Sequence, residues 1–274
     1  LHVRSRRQRQ MCIRDSYRSL MNSRVILVSD DRSSLRSPDT LLWPDAACMR
    51  GIHTGEWTAH IFGYAMSFEG NMTQVRELAA ANGVGVLHPH GALATDPPGL
   101  VVCDVDSTVT RTEAIDLLAE CAGKADEIRG ITARAMAGEL DFTQSLYARV
   151  RCLEGLHIGA LEEAWKATVI TPGTAELVAA AHDVGAAVGL VSGGFTAIVD
   201  PLAEQIGADF AASHELEIVD DHLTGRVVGD IIDRAAKATW LRRWASERGV
   251  ALERTIALGA VSYTHLTLPT TPYV

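Results

Sequence analysis

The sequence predicts an α/β protein: a Rossmannoid, doubly wound parallel sheet with a helical cap inserted after its first strand, preceded by a small N-terminal α/β segment. Three observations predict it. Leu100 to Cys103 are apolar at every position, as in a strand buried on both faces. Residues 112–169 then run helical in pattern for longer than a simple crossover needs. Beyond them TPGTAELVAAAHDVGAAVGLVSGG passes from helix to buried strand, the β–α–β rhythm of a doubly wound sheet.

Taken in order, each element has a local reason. The 274 residues, 47% of them hydrophobic, suffice for one large or two modest domains with real cores. Between Arg24 and His90, VILVS and AHIFGYAMSF read as strands, and NMTQVRELAAANG reads as a helix closed by Gly83. The Pro-, Gly- and His-rich stretch 88–99 is a linker, and His88 and His90 in it are read as solvated rather than metal-binding. In the cap, Leu117, Leu118 and Cys121 recur at helical spacing and Gly123 is the stop. Pro172 is expected in the first turn of the next helix, followed by the strand AAVGLVS. ASHELEIVDDHLTGRVVGD alternates around DDHLTG, a β-hairpin; KATWLRRWASERG is a helix and TIALG a last strand. The domain boundaries that follow are 21–90 for the small segment, 99–260 for the main domain and about 112–169 for its cap.

Net charge of −9 argues against a nucleic-acid or anionic-membrane surface. No apolar stretch approaches the roughly 20 residues of a membrane span, and no signal peptide follows the basic start, so a cytoplasmic protein is expected. Cys12, Cys48, Cys103, Cys121 and Cys152 are widely spaced and odd in number, which reads as reduced and structural. The first 20 residues hold six arginines and one aspartate. A transit peptide or a basic arm fits that composition, but a non-native leader with Met21 as the start is preferred. Residues 261–274, VSYTHLTLPTTPYV, have no amphipathic period and are read as a non-native tail.

The most chemically specific stretch is GLVVCDVDSTVTRT at 99–112. Ligands of open α/β sheets gather beyond the carboxyl ends of the strands, which places Asp104 and Asp106 at a crevice. Two residues apart on extended chain, they face one side and can address one reacting group and one hard cation. One can attack phosphorus while the other shuttles a proton, and the spacing leaves open which does which. Taken alone, the pair also fits a solvated strand end or a helix cap. Ser192 and Gly193, after a predicted strand and before a helix, would offer a hydroxyl and backbone N–H groups to phosphate at a helix N-terminus.

D-x-D-S-T after an apolar strand resembles the first motif of the haloacid-dehalogenase (HAD) superfamily. The run from Gly99 to Gly259 resembles its phosphoserine phosphatase family through TEAIDLLAE, AMAGELDFTQSLYARV, TPGTAEL, GLVSGGF and AAKATWL, in that order. The resemblance implies hydrolysis of O-phospho-L-serine to L-serine, the last step of serine biosynthesis, through an aspartyl-phosphate on Asp104. It implies Asp106 as general acid and base, Lys237 as the cation offsetting phosphate charge, and Ser192 and Gly193 as phosphate contacts. It further implies Glu113 on the substrate ammonium, Arg149 rather than Arg151 on its carboxylate, and Met136 and Phe142 closing over it. Mg²⁺ would be held by the Asp104 carboxylate and the Asp106 backbone carbonyl, and a homodimer through the N-terminal segment stays open.

One part of the pattern departs. The family continues its last core strand as G-D-G-x-x-D, whose first aspartate completes the Mg²⁺ site, whereas Gly259 here is followed by Ala260, Val261 and Ser262. The expectation is a chain truncated before that motif and weak or inactive as written. The alternatives are a related phosphotransferase acting on homoserine and a catalytically dead amino-acid-binding module.

Overall fold

The computed structural model describes residues 23–29, 54–57, 62–68, 72–81, 85–87, 89, 91–94 and 96–259. The expected leader and tail, His88, His90 and positions 260–262 lie outside the described residues. The chain divides into two units, 1–96 and 97–273 (with Val274 grouped with the first).

In the first unit, β1 (Ser23–Ser29), β2 (Thr54–Trp57), β3 (Phe62–Phe68) and β4 (Gly85–Leu87) form an antiparallel sheet in the order β2-β3-β1-β4. Helix α1 (Met72–Ala81) connects β3 to β4. The two longer strands and the helix were expected. β2 and β4, of four and three residues, are too short to carry a period.

In the second unit, β5 (Leu100–Cys103), β6 (Ala187–Phe195), β7 (Phe210–Val219), β8 (His222–Val228) and β9 (Thr255–Leu258) make a sheet in the order β8-β7-β6-β5-β9. β9, β5, β6 and β7 are parallel, and β8 returns antiparallel as the predicted hairpin. Between β5 and β6 come the cap helices α2 (Ala114–Cys121), α3 (Ala125–Met136), α4 (Phe142–Arg151) and α5 (Gly159–Ala167), then the crossover α6 (Thr174–Asp183). Helix α7 (Thr196–Ile206) links β6 to β7, and α8 (Arg234–Glu247) precedes β9.

The central strands β5 and β6 are covered on both faces, which is why they are almost continuously apolar and buried, whereas β7 and β8 alternate. Val101, Cys103, Val188 and Leu190 pack with Val199 and Leu202 of α7 and Val178 of α6. Leu100, Val102, Ala187 and Val191 point the other way, to Leu241 and Trp244 of α8. The approach of α8 depends on Gly189, since a Cβ there would lie 2.7 Å from the Trp244 ring. The cap has its own core of Leu118, Ile128, Leu146, Val150 and Leu153, joined to the sheet domain through Phe195 and Ile198. Full burial of Phe195 contributes roughly 1.5–3 kcal/mol.

Local signals set the helix ends. Gly123 is left-handed just past α2, as its sequence position predicts. Asp141 and Gln144 form a reciprocal capping box at the start of α4. Two starts differ from expectation. Helix α6 begins at Thr174, with the left-handed Gly173 as its N-cap, so Pro172 precedes the helix instead of occupying its first turn. Helix α8 begins at Arg234, three residues before the predicted Lys237, because the Asp233 carboxylate accepts from Ala236 N and nucleates the turn earlier.

Candidate active site

β5 delivers Asp104 to the carboxyl end of the sheet in extended conformation, and Asp104 N donates to Leu258 O at 2.9 Å, so β9 also fixes it. Asp104 Oδ1 accepts from its neighbour Val105 N at 2.9 Å and from Lys237 Nζ at 2.7 Å. Lys237 and Asp104 are both buried, their side chains 8% and 11% exposed. This is a desolvated ion pair, in which each charge depends on the other.

A tight π-type turn over Val105–Val109 follows, closed by Thr110 N donating to Val105 O at 2.9 Å. Ser107 inside it has φ of 56°, the left-handed region, a cost of about 1–2 kcal/mol for a residue with a Cβ. Its hydroxyl donates to Glu113 Oε1. Glu113 occupies the N-cap position of α2 without capping it, so its carboxylate is directed at the turn.

Asp106 Oδ1 accepts from Ala114 N at 3.1 Å. Burial, then the neighbouring charge of Glu113, pushes its pKa up to about 7, against the opposing pull of the Ala114 N–H. Asp106 therefore holds a proton for much of its time near neutral pH. The site thus contains one carboxylate paired with an ammonium and one whose burial favours its protonated form.

Ser192 is fully buried, and its Oγ accepts from Gly194 N at 2.8 Å. Sequence reasoning expected Ser192 and Gly193 at a helix N-terminus. Instead β6 runs on to Phe195 with a shift in its pairing to β7 between Val191 and Phe195, and α7 begins only at Thr196. The small residues sit in an irregular strand end because the chain there must pass close to Asp106. A Cβ on Gly194 would lie 2.9 Å from Asp106 Oδ2 and 3.0 Å from Ser192 Oγ.

The cap supplies Phe142, whose ring would touch a Cβ on Gly193 at 3.2 Å. Arg149, on the same helix, is half-buried with Nε donating to Ser145 O at 3.3 Å. Burial lowers its pKa, and Glu113, Asp116 and Asp106 pull it back up, so it shares the acidic side of the crevice. Met136, at the end of α3, is 61% exposed, and the structure does not pack it against the site.

A hard divalent cation prefers six oxygens in an octahedron. One Asp104 oxygen already serves Lys237 and Val105, one Asp106 oxygen serves Ala114, and among the described residues no group of three or more His, Cys, Asp or Glu gathers. The described donors do not complete a magnesium site.

Residues 101–259 match the haloacid dehalogenase-like hydrolase family, and the chain belongs to that family. Among its relatives is a phosphoserine phosphatase from Streptomyces coelicolor, 49% identical over 181 residues, covering 66% of this chain and 44% of that protein. Another phosphoserine phosphatase, from Streptococcus thermophilus, is 47% identical over 161 residues, covering 59% of this chain and 75% of that one. The chain therefore spans less than half of the first relative and three quarters of the second. The crystal structure of a probable phosphoserine phosphatase from Vibrio cholerae, in unliganded form, matches with TM-score 0.74 at 30% identity, covering 90% of this chain and 76% of that one.

Sequence reasoning missed two parts of the site. The left-handed Ser107 carried no local signal, since serine there is ordinary in a turn. His214 on β7 is 1% exposed and bonded to the Gly193 carbonyl, yet in sequence it is one polar residue in an alternating strand.

Proposed function

We propose that the chain descends from, and retains most of the site of, a phosphatase that hydrolyses O-phospho-L-serine to L-serine and phosphate. The observation that carries this reading is the unequal setting of the two carboxylates: Asp104 Oδ1 accepts from Lys237 Nζ at 2.7 Å, while Asp106 has no such cation on it among the described residues and is buried beside Glu113, which pushes its pKa up to about 7. A nucleophile must be ionised and a general acid must carry a proton, and this pair divides those tasks. Asp104 attacks phosphorus as the bond to the seryl oxygen breaks, and Asp106 gives its proton to that oxygen. The aspartyl-phosphate is then hydrolysed: Asp106, now a carboxylate, takes a proton from water, the resulting hydroxide attacks phosphorus, and Asp104 and phosphate are released.

Lys237, the Ser192 hydroxyl and the N–H of Gly193 offset the charge on the transferring group. Glu113 and Arg149 read the ammonium and carboxylate of the substrate, the latter through a bidentate fork, and Phe142 excludes water above it. Phosphatases of this family generally use Mg²⁺, which neutralises phosphate charge when bound. With Ala260 where the family keeps an aspartate, we propose that the chain turns over weakly. We also place it in the cytoplasm, free of nucleic acid and membrane, in keeping with its net charge of −9. Among the described residues no helix is long and apolar enough to cross a membrane. Homodimerisation is tested by light scattering on the eluted protein.

The deciding experiment measures phosphate release from O-phospho-L-serine, with and without Mg²⁺, by this chain and by Ala260→Asp. At least about a tenfold Mg²⁺-dependent gain in the variant is expected, equivalent to about 1.4 kcal/mol of barrier. No release by either folded protein refutes the phosphatase reading.

A further inference from the structure

The residues assigned above to phosphate come from two separate chain segments: the end of β6, with Ser192 to Gly194, and the first turn of α8, with Lys237. One side chain ties them together. His214, on β7 and 1% exposed, places Nδ1 3.0 Å from Gly193 O. Its Nε2 lies 2.8 Å from Ile232 N. A backbone N–H can only donate, so Nε2 is the unprotonated acceptor, and the ring proton sits on Nδ1 and is donated to Gly193 O. Both ring nitrogens are thus committed, to opposite sides of the site.

Each link constrains a phosphate contact. Fixing the Gly193 carbonyl fixes the peptide plane between Gly193 and Gly194, and hence the Gly194 N–H that donates to Ser192 Oγ at 2.8 Å. Ile232 immediately precedes Asp233, whose carboxylate caps α8 through Ala236 N at 2.8 Å, and Lys237 N donates to Asp233 O at 2.9 Å. The His214 bond to Ile232 therefore anchors the turn from which Lys237 reaches Asp104. Phe142 from the cap lies beside the ring, centroids 6.3 Å apart, and a Cβ on the same glycine would lie 3.2 Å from it.

We propose that His214 is a positioning residue for phosphate recognition: as the neutral Nδ1–H tautomer it clamps Gly193 and Ile232, and so sets the Ser192 loop against Lys237. This rests on the phosphatase reading for the identity of the ligand, but the clamp itself is independent of it. Burial lowers the imidazole pKa against the opposing pull of the backbone at Gly193 and Gly194, and the positive charges of Lys237 and Arg149 add to the lowering, consistent with a ring that stays neutral.

The test uses the full chain. Nitrogen-15 NMR of the His214 ring should report a proton on Nδ1 and none on Nε2 at neutral pH. An Nε2–H ring or an imidazolium overturns the proposal, whatever the chain binds. Inorganic phosphate is then titrated calorimetrically into the wild type, His214→Leu and His214→Asn. Leucine keeps bulk without either bond, whereas asparagine keeps a donor at the Nδ1 position. His214→Leu should weaken phosphate binding by about tenfold, the value of one oriented hydrogen bond, and His214→Asn should recover most of it. If His214→Leu fails to fold, His214→Gln, which offers an acceptor near Nε2 but no donor at Nδ1, takes its place. Equal phosphate affinity in all folded variants overturns the proposal. A wild type that binds no phosphate, with the Nδ1–H tautomer intact, refutes the phosphatase reading and the assignment to phosphate recognition while leaving the clamp standing.

Discussion

Replacing Lys237 with methionine isolates the energetic centre of the site. The ammonium lies 2.7 Å from Asp104 Oδ1 with both side chains about nine-tenths buried, so Lys237→Met leaves a carboxylate with no countercharge in a largely dry place. Breaking one partner of such a pair costs about 3–5 kcal/mol. Asp104 keeps the Val105 N–H at 2.9 Å, and methionine fills most of the lysine stem, so the lower end, about 3 kcal/mol, is expected. For a domain of this size that corresponds to a fall in Tm of about 6–12 °C. Urea unfolding followed by tryptophan fluorescence reads the loss, with two of the five tryptophans, Trp240 and Trp244, on the same helix as Lys237. The paired substitution Asp104→Asn with Lys237→Met removes both charges and should recover most of the loss, a coupling of about 2 kcal/mol or more. A single-variant loss below about 1 kcal/mol, or additive losses in the cycle, would show that the pair is hydrated and refute the reasoning.

Three further outcomes follow from the same geometry. Asp106 has its pKa raised from 3.8 to about 7, so its contribution to stability is complete below the ordinary carboxyl range and is lost as pH rises through about 7. Asp106→Asn should therefore be nearly neutral in stability near pH 4 and stabilising near pH 8, measured as Tm against pH; a flat difference between the two proteins counts against the raised pKa. Gly194→Ala places a methyl 2.9 Å from Asp106 Oδ2 and should cost about 1–3 kcal/mol in urea unfolding together with phosphate binding; unchanged values would mean that the strand end yields freely. Arg149→Ala should weaken binding of O-phospho-L-serine by about tenfold or more while leaving phosphoethanolamine, which lacks the carboxylate, within about threefold; equal losses in calorimetry would remove Arg149 from carboxylate recognition.

What the sequence determined is what depends on local pattern. The unbroken apolar LVVC places β5, the Asp-x-Asp after it places the two carboxylates of the candidate site, and Gly123 and the alternation around DDHLTG place a helix end and a hairpin. These are legible because strand burial, left-handed caps and hairpin turns are selected by residues within a few positions of one another. The start of α8 is legible too, in Asp233 three residues before Ala236, from whose N–H the carboxylate accepts. Only the tertiary structure decided which carboxylate receives the lysine and which is enclosed away from it. Lys237 meets Asp104 across 133 residues of chain, while Asp106 is enclosed beside Glu113 and Gly194. His214 is the same case, with partners 21 and 18 residues away on different segments. Protonation state and side-chain orientation depend on burial and on long-range neighbours, and neither exists until the sheet, the cap and α8 have closed around the crevice.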